Sequence, residues 1–153
     1  MLRAIVAGSS ELLRARTMRS LARFGVTAET CGDDLAGALE GESATWILRA
    51  GAWIAEVPDV HPSATGKPLL AFGAIRGDRA WDETLARTGG ILDGTSTPRV
   101  ASVLVETPSR LRGLASLDDV HTFAQSGAFR AVRLHAADVG FDERVRACVA
   151  RQA

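Results

Sequence analysis

The feature that most constrains this chain is one apolar run, Thr45-Trp46-Ile47-Leu48-Arg49-Ala50-Gly51-Ala52-Trp53-Ile54-Ala55-Glu56-Val57. It is the longest such run and carries two of the three tryptophans. An apolar run this short, interrupted by Arg49 and Gly51, reads as a buried strand that ends, turns and continues. A strand buried on both faces belongs in the middle of a sheet covered by helices.

The residues before it supply the neighbours. Leu2 to Ala7 is a compact apolar run ended by Gly8-Ser9-Ser10, which predicts a strand and a tight turn. Ser9 or Ser10 can cap the helix that follows, because a serine oxygen accepts a bond from an otherwise orphan amide. Leu13, Thr17, Leu21 and Phe24 share helical spacing and are expected to face the sheet, with Arg14, Arg16, Arg19 and Arg23 mostly directed elsewhere. Gly25 supplies a C-terminal stop. Val26 to Cys31 reads as a weaker strand, and Asp33 as the cap of a short helix through Leu35, Ala38 and Leu39. Strand, helix, strand, helix, strand is the order of a parallel sheet with crossover helices.

The second half is more mixed. Pro58 to Pro68 reads as an irregular loop, Leu69 to Ile75 as a strand, and Trp81 to Arg87 as a short helix. Val100 to Val105 is a strand by its β-branched content. Pro108 and Ser109 open a helical turn, Asp118-Asp119 a helix stopped by Gly127, Ala131 to Leu134 an edge strand, and Phe141 to Ala150 a closing helix. The expectation is a single α/β domain over 1–153, a three-layer sandwich with a mostly parallel, Rossmann-like central sheet. Residues 1–57 form its nucleotide-binding-like half and 69–153 its mixed half. At 153 residues such a domain can bury roughly 70% of the surface of its unfolded chain, without metals or disulfides.

Charge and composition remove several function classes. Formal net charge is zero, which argues against a nucleic-acid or anionic-membrane surface supported by net charge alone. Lys67 is the only lysine, so nearly all fixed positive charge is guanidinium, the group suited to bidentate phosphate or carboxylate contacts. Cys31 and Cys148 stand far apart without ligand-like spacing, as expected of reduced thiols. No apolar run reaches the roughly 20 residues of a membrane span. The opening strand passes into helical patterning too soon for a signal peptide, and a cytoplasmic location is the expectation.

Ligands of parallel sheets bind beyond the carboxyl ends of the strands. That rule puts Gly8-Ser9-Ser10, Gly32-Asp33-Asp34 and Arg49-Ala50-Gly51 along one edge. Ser9 and Ser10 can present hydroxyls and backbone amides to a phosphate at a helix start. Asp33 and Asp34 can accept from a base or a ribose hydroxyl, or bind a divalent ion. There is no G-x-G-x-x-G and no Walker lysine, so dinucleotide and P-loop readings lack their mechanics. His61, His121 and His135 are scattered, and Gly8-Ser9-Ser10 lacks the flanking pattern of a nucleophile elbow. A receiver domain would want acids where Ala7-Gly8 stand. Glu106 and Asp118-Asp119 can act on an acceptor hydroxyl or serve as caps and solvated charge.

Val6-Ala7-Gly8-Ser9-Ser10, Arg16-Thr17-Met18-Arg19-Ser20-Leu21, Asp33-Asp34 and Thr45-Trp46-Ile47-Leu48 occur in an order and spacing that resembles the nucleotide-binding half of family 2 glycosyltransferases of the GT-A fold. Gly140-Phe141-Asp142-Glu143-Arg144 is similar to a segment found later in such enzymes. The resemblance spans about two-thirds of the chain. It implies a nucleoside diphosphate sugar as ligand, with Ser9 at the diphosphate and nucleoside edge and Asp33 and Asp34 near base and ribose. Those enzymes hold Mn²⁺ or Mg²⁺ with an aspartate-any-aspartate element after the central strand. Here that place reads Arg49-Ala50-Gly51-Ala52, with no acid. A hard cation needs oxygen ligands, so no metal site is expected there, and Arg49 can face the diphosphate instead. Two functions follow: a glycosyltransferase-like domain that binds a nucleoside diphosphate sugar, or a non-catalytic module of the same fold that engages a protein partner or a second copy. Trp53 and Trp81, if exposed, would serve as a sugar platform or a protein contact; Trp46 is expected in the core.

Overall fold

A computed structural model describes residues 2–54, 57–58, 66–74, 100–124, 127–133 and 139–140. Six strands of these residues form one sheet: β1 (Arg3–Ala7), β2 (Ala28–Cys31), β3 (Thr45–Arg49), β5 (Leu69–Ala74), β6 (Val100–Val105) and β7 (Arg130–Arg133). Two more, β4 (Trp53–Ile54) and β8 (Val139–Gly140), pair separately as an antiparallel ribbon. The sheet order is β2-β1-β3-β6-β5-β7. The three early strands lie side by side and parallel, with β1 in the middle. β6 runs against both β3 and β5, and β5 and β7 are parallel. The sheet is therefore mixed, with one reversed strand between two parallel groups. Burial and β-branched content identify β6 as a central strand, but neither carries its direction.

The Thr45–Val57 run does end, turn and resume. β3 stops at Arg49, Ala50-Gly51 turn with Gly51 at φ +101°, and β4 leaves the main sheet to pair with β8. Side-chain alternation divides the core in two. Ile5, Ala7, Ile47, Val103 and Val105 pack with Leu35, Leu39, Leu111, Leu117 and Val120. Ala4, Val6, Trp46, Leu48 and Leu104 pack with Leu13 and Leu21 of the helix α1 (Glu11–Ala22) and with Ile54. Trp46 is fully buried.

β6 changes phase at its start. Gly73 is opposite Ser102 and Ala74 opposite Val100, so Ala101 is an extra residue. This bulge moves Val100 onto the face of Val103, while Ala101 joins Leu104.

α1 begins with Ser10, whose Oγ accepts from the Leu13 N–H at 3.3 Å. Its end follows the Schellman pattern: Val26 N–H donates to Leu21 O, Gly25 N–H donates to Ala22 O, and Gly25 sits at φ +71°. Glycine tolerates that left-handed backbone without the penalty of a Cβ. Leu13, Thr17 and Leu21 face inward, but Phe24 is 40% exposed. Helical spacing misplaces Phe24 because the helix stops at Ala22 and the chain turns before reaching it. Two hydroxyls bolt α1 to the segment after β3. Thr17 Oγ1 accepts from Gly51 N–H at 2.8 Å and donates to Ala52 O at 2.9 Å. Ser20 Oγ accepts from Ile54 N–H at 2.7 Å.

The first of these clusters, with Ile5 and Ile47, lies under short turns: the 3₁₀ segments Ala36–Leu39, Pro108–Leu111 and Leu117–Asp119, and the helix Val120–Ala124. Gly127, at φ +77°, follows the last of these. The expected helices at Trp81–Arg87 and Phe141–Ala150 lie outside the described residues. Among the described residues, no helix is long and apolar enough to cross a membrane.

Candidate functional site

A cavity of about 500 Å³ opens at the carboxyl ends of β1, β2 and β3. Its size falls within the range of about 300–1,000 Å³ common to small-molecule clefts. Gly8, Ser9 and Ser10 line it from the β1–α1 turn, Gly32 and Asp33 from the end of β2, and Arg49 and Ala50 from the end of β3. Leu13 and Leu35 supply apolar wall, and Ala115, Ser116 and Leu117 complete it.

The turn at Gly8 is set by packing. Its φ is +148°, and a Cβ built on it would lie 2.7 Å from the Cβ of Ala50, closer than carbon atoms can pack. Gly8 N–H donates to Cys31 O at 3.1 Å, and Ala50 N–H donates to Ala7 O at 2.8 Å. The tips of all three strands are thus tied together at the cavity.

Two guanidinium groups are anchored beside this junction. Arg49 Nε donates to Val100 O at 2.8 Å, the carbonyl at the bulged start of β6. Arg14 turns back along the first turn of α1, and its Nη1 donates to Gly8 O at 3.0 Å. Side chains of a helix lean toward its N-terminus, which brings Arg14 to the turn although its spacing takes it off the sheet-facing stripe.

Of the residues the sequence singled out, Ser9, Ser10, Asp33 and Arg49 come together around the cavity. Asp34 is not among its lining. Its Oδ1 accepts from Ala36 N–H at 3.0 Å, so Asp34, and not Asp33, supports the start of the Ala36–Leu39 turn. Ser10 has its Oγ engaged as the helix cap, while Ser9 is exposed. Arg14 and Ala115–Leu117 were not foreseen. Arg14 shares the helical spacing of its fellow arginines, and Ala115–Leu117 are distant in sequence and carry no chemical signature.

Cys31 ends β2 beside this group. Burial pushes its thiol above the ordinary value of 9.0; Asp34 and Asp33 add to the rise, and Arg14 and Arg3 oppose it.

The acids at the other end of the sheet play different parts. Glu106 Oε2 accepts from Leu69 N–H at 2.7 Å and lines a separate hollow of about 280 Å³ with Glu42, Lys67 and Arg110. Trp53 is half-buried, with the guanidinium carbons of Arg16 and Arg23 at 4.9 and 5.1 Å from its ring centre. It is not among the cavity's lining residues. Gly140 pairs with Trp53, but Phe141–Arg144 and Trp81 lie outside the described residues.

The donor set does not suit the divalent cation that the resemblance implies. The described lining offers one carboxylate, Asp33, and sets the Arg49 guanidinium at the end of β3. Among the described residues, no group of three or more His, Cys, Asp or Glu side chains could hold a metal. No protein-family model matches the chain, and no curated protein matches it.

Proposed function

We propose that the chain is a glycosyltransferase-like domain that binds a nucleoside diphosphate sugar in the cavity at the tips of β1, β2 and β3. One observation carries the reading: Ser9, Ser10, Asp33 and Arg49, drawn from three separate strand ends, line one 500 Å³ cavity. Each has a chemistry that suits one part of such a ligand. The helix start after Ser10 and the Arg49 guanidinium suit phosphates. Asp33 suits hydroxyl or ring N–H donors of a nucleoside. Leu13 and Leu35 suit the apolar faces of a base or a sugar.

The rival reading, a module that docks a protein partner, would gain from a continuous exposed apolar patch. Leu12 and Phe24 are the large apolar side chains most exposed among the described residues, at 68% and 40%. Leu12 stands in the first turn of α1 and Phe24 beyond its end at Ala22, so these two described side chains mark separate places on the surface. The cavity at the strand ends favours the ligand-binding reading.

Thermal denaturation with UDP-, GDP- and dTDP-sugars tests it. A ligand at about 100 times its dissociation constant stabilises the folded state by about 2.7 kcal/mol. At least one of these sugars is expected to raise the melting temperature, and Asp33→Ala to reduce the shift. Absence of a shift with every member of the panel overturns the proposal.

A further inference from the structure

The same cavity, taken as a nucleotide site, carries a further consequence for how phosphate charge is met. A divalent cation on a diphosphate is held by one or two protein carboxylates together with phosphate oxygens and water. The described wall supplies the single carboxylate of Asp33 and, after β3, a fixed positive charge at Arg49. A guanidinium repels the cation and attracts the anion, so the wall favours the anion directly. Arg49 is anchored through its Nε, which donates to Val100 O at 2.8 Å. The bulge at Ala101 sets the register at which that carbonyl stands.

Arg14 contributes differently. Its Nη1 holds the Gly8 carbonyl at 3.0 Å. The Gly8–Ser9 peptide unit is planar and trans, so fixing that carbonyl fixes the opposite direction of the Ser9 N–H. Gly8 itself is pressed against Ala50, the neighbour of Arg49. One junction therefore couples the turn that precedes α1 to the cation after β3.

We propose that this cavity binds a nucleoside diphosphate group without a divalent metal, with Arg49 as the cation that contacts the phosphates and Arg14 as the positioning residue for the Gly8–Ser9 turn. The proposal rests on the nucleotide-binding reading above. It adds to the placing of Arg49 at the phosphates that no divalent metal is required and that Arg14 positions the turn.

Calorimetric titration of the full chain with UDP, GDP, CDP and dTDP, and with the matching nucleosides, tests it in EDTA and in Mn²⁺. The expected dissociation constant of the preferred diphosphate agrees within about twofold between the two buffers, and the matching nucleoside binds at least about tenfold more weakly. Arg49→Gln weakens the diphosphate by about tenfold or more, and Arg49→Lys by less. Arg14→Gln weakens it too, with partial recovery in Arg14→Lys, which a purely structural role for Arg14 would not require. Tightening by about tenfold or more on adding Mn²⁺ overturns the proposal and leaves nucleotide binding intact. Equal affinity for nucleoside and diphosphate does the same. Absence of binding by every diphosphate in both buffers overturns both proposals. The buffer comparison uses the unsubstituted chain, so the test survives a variant that fails to fold.

Discussion

Gly8 and Ala50 meet so closely that any side chain at Gly8 would collide with Ala50: the Cβ atoms would stand 2.7 Å apart. This contact presses the turn after β1 against the turn after β3, and the cavity lies beside it. Gly8→Ala adds both the clash and a strained φ of +148°. It is expected to cost about 2–4 kcal/mol of stability. Urea denaturation of Gly8→Ala, Ala50→Gly and the double variant separates the two causes. The clash should appear as a coupling of about 0.5–3 kcal/mol between the sites. A Gly8→Ala chain as stable as the original would contradict the packing described.

Thr17 fastens α1 to the segment that leaves β3. Its Oγ1 bonds both Gly51 N–H and Ala52 O, and the residue is fully buried. Thr17→Val keeps the shape and removes the hydroxyl. Gly51 N–H retains a second acceptor at Leu13 O, but Ala52 O loses its Thr17 donor. The expected loss is about 1–3 kcal/mol, measured by denaturant unfolding. Thr17→Ser, which keeps the hydroxyl, should cost only about the 0.8 kcal/mol of one buried methyl. If the valine variant proves the more stable of the two, the hydroxyl is not the fastener.

The Arg3–Glu29 pair, at 2.6 Å, looks stronger on paper than it should prove in solution. Its side chains are 32% and 62% exposed, where solvent screens the attraction. Glu29→Gln is expected to cost less than about 1 kcal/mol, and the difference should shrink further in high salt. Thermal melts at two salt concentrations read this directly.

The Cys31 thiol titrates above its ordinary value of 9.0, first because it is buried and next because Asp34 stands near. The protonated thiol is the form favoured by folding. Its contribution to stability is thus present below the unfolded value and lost as pH rises through the folded one. In a Cys148→Ser background, the alkylation rate against pH should have its midpoint above that of free cysteine. Asp34→Asn should move the midpoint down. A midpoint at or below the ordinary value would contradict the burial and charge placement around β2.

Much of the first half is legible in the sequence alone. β1, α1, the Schellman stop at Gly25 and the interrupted Trp46–Trp53 run all follow from local signals: apolar runs, serine capping and glycine punctuation. The convergence of Ser9, Asp33 and Arg49 followed from one general rule about strand ends. What escaped was non-local. The reversal of β6 has no trace in Val100–Val105, because a strand buried on both faces reads alike in either direction. Ala101 is one small residue among apolar neighbours, and only pairing with β5 reveals it as a bulge. Asp33 and Asp34 are adjacent carboxylates, and backbone geometry alone decided which one bonds Ala36. Arg14 shows no difference in spacing from its fellow arginines, yet its guanidinium returns to Gly8.

The central claim is that three parallel strand ends build a nucleotide site. The most direct measurement is a heteronuclear NMR titration of the full chain with UDP, GDP, CDP and dTDP. The account predicts that at least one of them shifts the amide signals of Gly8, Ser9, Ser10, Gly32, Asp33 and Ala50, while Glu42, Thr107 and Arg110 at the far end of the sheet stay still. Unmoved signals around Gly8 with all four ligands, or shifts confined to the far end, would contradict it.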